Sequence, residues 1–243
     1  MIFETFFGNC KKLFELNSLS SPSKEEALKL FDLTNIMLET NKVMNLTAIK
    51  EENSIILRHY VDSLLISQLI PKNSKVIDIG CGAGFPTLPL AIFRHDLSIT
   101  AVDSTAKRID YVNSTSKKLE LDNVTAIAAR AEELGHDHAY RESFDIATAR
   151  AVASLPILSE LCLPLVKNGG SFIAMKGSKA DEEFAASQKA IQTCGGKTRE
   201  ILRPSLINQD GSLETRYLIQ IDKLSATPQN YPRHFSKISK KPL

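Results

Sequence analysis

The residue types best suited to chemistry stand close together in Val76-Ile-Asp-Ile-Gly-Cys-Gly-Ala-Gly-Phe-Pro86. Gly80, Gly82 and Gly84 allow a tight backbone turn and a close approach to a ligand, because no Cβ stands in the way. Asp103 follows Gly84 by nineteen positions, at the end of the next β-branched run. That is the separation at which an acid accepts hydrogen bonds from ribose hydroxyls. A glycine triplet alone is a weak signal. A strand before it, a helix after it and an acid at the next strand end together make a nucleoside-binding constellation.

Dinucleotide sites place the third glycine one residue later and aim a helix N-terminus at a pyrophosphate. Here Asp78 precedes the loop, where it repels phosphate and suits a cation. S-adenosylmethionine, with a sulfonium, an ammonium and no phosphate, fits that pattern better than a nicotinamide dinucleotide does. Both acids have plainer readings as well: Asp78 as a cap for loop amides, Asp103 as the N-cap of the following helix.

The elements that must carry this loop can be read from hydrophobic spacing. Residues 1 to about 70 read as helices. Ser23 and Glu26 form a capping-box pattern after Pro22. Ala27, Leu30, Phe31, Leu33, Met37 and Leu38 then recur at helical intervals, as do Ile55, Ile56, His59, Val61, Leu64 and Leu65 within a predicted helix over 54–69. From Lys75 the texture changes to short β-branched runs at 75–79, 97–102, 123–128, 144–148 and 171–175. Helical segments lie between them, at 88–94, 106–119, 155–166 and 181–193. Such alternation predicts βαβ units and a mostly parallel sheet covered on both faces. Two further strands, over 198–205 and 214–221, joined at Asn208-Gln-Asp-Gly211, predict an antiparallel hairpin at the edge. The chain thus divides into a helical cap (1–72), an α/β domain (73–222) and a basic tail (223–243).

Composition sets the outer bounds. The chain has 243 residues, 43% hydrophobic and 24% charged, with a formal net charge of +2. These values exclude a disordered chain, a collagen-like repeat and a coiled-coil rod. Cys10, Cys81, Cys162 and Cys194 stand far apart, which argues against a zinc site or a disulfide framework and fits a reducing cytoplasm. No signal peptide and no membrane span is expected. From Lys223 onward there are five basic residues (Lys223, Arg233, Lys237, Lys240 and Lys241) and no acid. By charge alone that tail reads as a solvated, frayed terminus.

Asp-Ile-Gly-Cys-Gly-Ala-Gly-Phe-Pro at 78–86, preceded by Asn45-Leu-Thr-Ala-Ile49 and Arg58-His-Tyr-Val-Asp-Ser-Leu64, resembles the bacterial RsmG family, also called glucose-inhibited division protein B. Ala129-Arg-Ala-Glu-Glu133, Ala149-Arg-Ala-Val-Ala153, Leu163-Pro-Leu165, Lys167-Asn-Gly-Gly170, Lys176-Gly177 and Tyr231-Pro-Arg233 extend the likeness in order over about residues 40–243. In its tail this chain has His234-Phe-Ser-Lys-Ile-Ser239 where family members usually carry a glycine and a proline. The resemblance implies a class I, Rossmann-like methyltransferase fold. It implies methylation of guanine N7 in 16S ribosomal RNA of the small subunit, with S-adenosyl-L-methionine as cofactor. It maps cofactor contacts onto Gly80, Phe85, Ala131, Glu132 and Arg150, beside Asp78, Gly82, Gly84 and Asp103 from the loop reading.

Guanine N7 has a free lone pair at neutral pH, so this chemistry needs no general base. It needs N7 held in line with the departing sulfur. Arg58, Arg150 and Lys176 are the candidates for orienting the base, since Arg and Lys are the usual readers of the guanine O6/N7 edge. Each has a plainer reading: Arg150 as a surface salt bridge to Asp145 or Glu160, Lys176 as a solvated strand end. Phe85 has one too, as simple core packing. N7 faces the deep, narrow major groove of A-form RNA, so the target must be an exposed or splayed-out nucleotide. With the family in view, the tail lysines become phosphate contacts. The expected partner is 16S ribosomal RNA or the small subunit, with no membrane, no metal and a monomeric state. The rival readings are a methyltransferase for a protein or small molecule, a non-catalytic RNA-binding or ribosome-assembly protein, and a dehydrogenase.

Overall fold

The computed structural model describes residues 2–243. Its N-terminal layer is helical. α1 (Phe3–Leu16) buries Phe6, Cys10, Leu13 and Phe14 along one stripe. α2 (Lys24–Met44) starts at Ser23 with the expected capping box: Ser23 Oγ accepts from the Glu26 N–H at 3.2 Å, and the Glu26 carboxylate accepts from the Ser23 N–H at 2.7 Å. The single helix predicted over 54–69 is a composite. α3 (Glu52–Ile55) runs into a π-helical stretch, Ile56–Val61, then into α4 (Asp62–Leu64) and a 3-10 turn, Ser67–Leu69. Apolar residues go on recurring along its buried side, at Ile55, Ile56, Tyr60 and Leu64, so periodicity alone cannot mark the change of helix type.

The sheet follows. In chain order come β1 (Lys75–Ile79), α5 (Thr87–Phe93), β2 (Ser98–Asp103), α6 (Ala106–Lys118), β3 (Val124–Ala128), α7 (Ala131–Leu134), β4 (Phe144–Arg150), α8 (Leu155–Cys162), β5 (Val166–Lys176) and α9 (Ala180–Thr193). Then come β6 (Gly196–Leu202), β7 (Ser205–Ile207), β8 (Leu213–Thr215), β9 (Tyr217–Lys223) and α10 (Phe235–Lys240). Seven strands form one sheet in the order β3-β2-β1-β4-β5-β9-β6. The first five are mutually parallel, and β9 pairs antiparallel with both β5 and β6. Val76, Ile99, Ile146 and Ile173 share one buried core with residues of α1, α2, α5 and α6; Ile77, Val102, Ala147 and Ala149 share a second with residues of α8 and α9 and with Ile238. Burial on both faces explains the near-continuous apolar runs.

Two expectations need correction. The turn at 208–211 does not join the long antiparallel strands. Pro204 follows β6 and cannot extend the ladder, and the chain enters a separate ribbon, β7 with β8. That ribbon reaches back to the N-terminal helices: Leu206 is buried, and the Asn17 side chain brackets Ile207, donating to its carbonyl at 3.0 Å and accepting from its N–H at 2.8 Å. The tail is not frayed. Lys223, counted with the basic tail, is the last residue of β9 and 0% exposed. Its ammonium donates to Leu163 O at 2.7 Å and pairs with Glu142 at 3.1 Å. Arg233 forks onto the fully buried Glu160, and Ile238 is completely buried.

Candidate functional site

β1 and β4 are neighbours, and the chain leaves them toward opposite sides of the sheet, which opens a crevice at their carboxyl ends. Two cavities occupy it. One, of about 320 Å³, is lined by Gly80, Asp103, Arg108, Ala131, Glu132 and Phe235, among others. The second, of about 510 Å³, is lined by Arg58, His59, Asp62, Arg150, Lys176 and Arg216, among others. Ala151, just past β4, lines both.

The glycine loop is fastened by the strand beside it. The N–H groups of Gly80 and Cys81 both donate to Val102 O, at 2.8 and 2.9 Å. Gly82 has a positive φ of 55°, and a Cβ built there meets nothing nearer than 3.9 Å, so the space beside it is open. Gly84, at φ 84°, differs: its Cβ would stand 2.5 Å from Leu88 Cδ1, which makes it a packing glycine for the loop against α5. Neither Gly82 nor Gly84 lines the smaller cavity.

Asp103 does not cap α6 as the N-cap residue, which is Thr105. Its Oδ1 accepts from the Thr105 N–H at 2.8 Å, and its Oδ2 from the Gly82 N–H at 3.1 Å. One carboxylate therefore ties the glycine loop to the head of α6 while facing the cavity. Glu132 is buried with Oε1 unpartnered. Asp78 is buried too; its Oδ2 accepts from the Thr87 hydroxyl at 2.7 Å and its Oδ1 has no partner. Burial pushes the Asp78 carboxyl up to about 6, against the pull of Thr87 and of the Arg150 charge.

In the larger cavity the charged groups form one chain. Arg150 Nη1 donates to Asp62 Oδ2 at 3.1 Å and to Arg58 O at 3.0 Å. Asp62 Oδ1 accepts from Arg216 Nε at 3.1 Å, Arg216 Nη2 donates to Glu214 at 3.0 Å, and Glu214 accepts from Arg58 Nε at 2.8 Å. Arg150 thus pairs with neither Asp145 nor Glu160. Asp145 binds the Lys75 N–H and Lys167 at the other end of β4, and Glu160 is taken by Arg233. Lys176 is not a solvated strand end either. It donates to Ala153 O at 2.7 Å and pairs with Glu183 at 2.6 Å, which pins the segment after Ala151.

Phe85 joins the loop to this chain. His59 stacks on it with ring centres 4.4 Å apart, and the Arg150 guanidinium lies 5.5 Å from its centre. His59 is held by the Asn45–Ile49 segment. Thr47 Oγ1 accepts from the Ile49 N–H at 3.0 Å and lies within hydrogen-bond distance, 2.9 Å, of His59 Nε2. Burial, then the Arg150 charge, push the imidazole down to about 3, so it is neutral near pH 7.

Of the sequence-predicted residues, Arg58, Arg150 and Lys176 share the larger cavity, while Gly80, Asp103, Ala131 and Glu132 share the smaller. Asp78 and Phe85 line neither and lie buried behind the crevice. Sequence reading missed Asp62, Arg216, Glu214 and Phe235. Asp62 had a usable signal, an acid on the apolar side of a helical stretch. Arg216 had none, because its partner lies 154 positions away.

The model of the GidB family, described as rRNA small subunit methyltransferase G, matches residues 26–207. Ribosomal RNA small subunit methyltransferase G of Acetivibrio thermocellus is 46% identical over 220 residues, covering 90% of this chain and 89% of the relative. The protein of the same description from Clostridium beijerinckii is 42% identical over 240 residues, covering 96% and 99%. Among solved structures, a SAM-dependent O-methyltransferase from Thermotoga maritima aligns with a TM-score of 0.52 at 17% identity, covering 86% of this chain and 74% of that one. Precorrin-6y C5,15-methyltransferase from Geobacter metallireducens aligns with a TM-score of 0.51 at 15% identity, covering 74% and 92%. At these identities the structural likeness speaks for the fold.

Proposed function

This chain belongs to the rRNA small subunit methyltransferase G family, and on that premise we propose that it methylates guanine N7 in 16S ribosomal RNA from S-adenosyl-L-methionine. The observation that carries the proposal is the shared wall at Ala151: a nucleoside-sized cavity under a glycine loop opens beside a cavity ringed by three arginines. The first suits an adenosyl group. The unpartnered carboxylate oxygen of Glu132, which lines that cavity, supports the fit.

When bound, the cofactor supplies a methyl group on a positively charged sulfur. The chain's residues supply position and field. Asp103 braces the loop so that its amides hold one geometry. The Asp78 carboxylate, charged above about pH 6, favours a cationic ligand nearby. N7 attacks with its own lone pair and no proton has to be removed, which agrees with a neutral His59 that is spoken for by Thr47. Arg58, Arg150 and Arg216 orient the guanine through its O6 edge and adjacent phosphates, and Asp62 and Glu214 fix where those guanidinium groups point. Lys176 holds the Ala151–Ala153 segment between the two cavities.

The same reading takes the protein as cytoplasmic, in keeping with four buried free cysteines, and as a monomer. Mass-spectrometric mapping of 16S ribosomal RNA from cells with and without the protein tests the assignment. One N7-methylguanine is expected to disappear with the protein and to return when purified protein and S-adenosylmethionine are added to the undermethylated subunit. An identical methylation pattern in both cells overturns it.

A further inference from the structure

The nucleoside cavity has a wall that the glycine loop and strand ends do not provide. Phe235, the first residue of α10, lines it together with Asp103 and Glu132. The segment that brings it there is anchored at every step. Arg141 donates to Thr227 O at 2.7 Å and to Tyr231 O at 2.9 Å. His136 Nε2 lies 2.7 Å from Pro232 O, and Pro232 packs so closely on Gly135 that a Cβ there would stand 2.6 Å from its ring. Arg233 uses its N–H and guanidinium on Glu160, a carboxylate with no exposure of its own. Ile238, one turn beyond Phe235, is completely buried. Those anchors hold α10 against α8, with Lys237 and Lys240 on the helix face away from Phe235.

We propose that the C-terminal helix is part of the cofactor site: Phe235 forms an aromatic wall for the adenine, so the tail retains the adenosyl ligand. The inference rests on the smaller cavity being the adenosyl site. The chemistry is that of a flat base against an aromatic ring, a contact worth about 1–3 kcal/mol per base, or about 5- to 150-fold in affinity. Among the remaining polar walls, Asp103 and Glu132 are suited to hydroxyl and amine groups at the rim of such a ligand.

Calorimetric titration with S-adenosylhomocysteine and, separately, 5′-methylthioadenosine tests this, beside thermal unfolding without ligand. Phe235→Ala is expected to weaken both ligands by about tenfold, since both carry the adenosine and only one carries the amino acid. Phe235→Leu keeps an apolar side chain in the cavity wall without an aromatic face and is expected to weaken both as well, whereas Phe235→Tyr restores them. Unliganded melting of the Leu and Tyr variants is expected to match the parent. Parent protein that binds while Ala and Leu variants bind equally well overturns the tail's role alone. Parent protein that binds neither probe overturns the cavity assignment and this inference together.

Discussion

Arg150 at the end of β4 and Asp62 in α4 meet at 3.1 Å, both largely shielded from solvent. The pair joins the sheet to the N-terminal helices at the mouth of the larger cavity. Asp62 also holds Arg216. Removing one partner of a buried ion pair leaves uncompensated charge, at about 3–5 kcal/mol. Asp62→Ala therefore leaves the Arg150 guanidinium without a carboxylate partner and Arg216 with Glu214 alone, and denaturant unfolding is expected to show a loss of that order. Arg216→Ala leaves Asp62 paired with Arg150 and is expected to cost markedly less. Equal stability of Asp62→Ala and parent would mean that the three groups contribute no net binding to the fold.

Asp78 sets opposite pH trends for stability and for ligand binding. Its folded carboxyl is raised to about 6 from an ordinary 3.8. Between these values the folded state holds the proton more tightly than the unfolded chain, so this group's contribution to stability is complete below about 3.8 and lost as pH rises through about 6. The difference amounts to about 3 kcal/mol. Unliganded protein with Asp78→Asn is expected to lose that slope in melting temperature. S-adenosylhomocysteine, which carries an ammonium, is expected to bind the parent up to about 10-fold more tightly above pH 7 than at pH 5, since a carboxyl titrating at about 6 is only about one-tenth ionised at pH 5. Asp78→Asn is expected to bind weakly at both.

The two loop glycines should fail differently. Gly82→Ala places a Cβ in open space at a positive φ, which costs about 1–2 kcal/mol of strain and, on the proposed function, narrows the approach of a ligand to the loop. Gly84→Ala adds a clash with Leu88 to similar strain, a further 1–3 kcal/mol or so. Calorimetry with S-adenosylhomocysteine beside thermal melting is expected to show Gly82→Ala folded but unable to bind. Gly84→Ala is expected to show the larger drop in melting temperature. The reverse order would reassign the two positions.

Lys237, Lys240 and Lys241 remain exposed on the outer side of the tail. Each phosphate contact adds about 0.7–0.9 to the salt slope of RNA binding, so replacing all three with Ala is expected to lower that slope by about two to three. Small-subunit binding across a salt series measures it. Cofactor affinity is expected to hold, because Phe235 and Ile238 keep the helix in place. An unchanged slope would remove these lysines from the RNA contact.

Much of the architecture was legible because strand and helix spacings differ and Gly, Pro and Ser-x-x-Glu mark the joints. The Ser23–Glu26 cap and all five parallel strands stand where spacing puts them. What spacing could not carry was long-range pairing. Lys223 reads as a tail cation by sequence and is a buried strand-end ammonium, because Glu142 and Leu163 meet it from distant segments. Composition counts the tail's charges. Its fixed course depends instead on Pro232 against Gly135 and Arg233 on Glu160. The π-helical stretch that carries Arg58 and His59 leaves no trace in the apolar pattern. The candidate site was legible where it is local, in the glycine loop and Asp103, and hidden where Asp62, Arg216 and Phe235 reach it from far along the chain.

Because β9 lies between β5 and β6, spatial order departs from the order of synthesis. As the chain emerges from its N-terminus, β6 is complete before the strand it must pair with exists. Until Tyr217–Lys223 arrives, both β5 and β6 present unsatisfied edges, the kind of surface that recruits strands from other chains. A message truncated before codon 217 would yield a product with β5 open on one side and β6 unpaired, prone to aggregation. One truncated after Lys223 would yield the complete seven-stranded sheet, lacking only the tail. The boundary between those two outcomes falls at a single seven-residue strand, the last to be made and among the most enclosed.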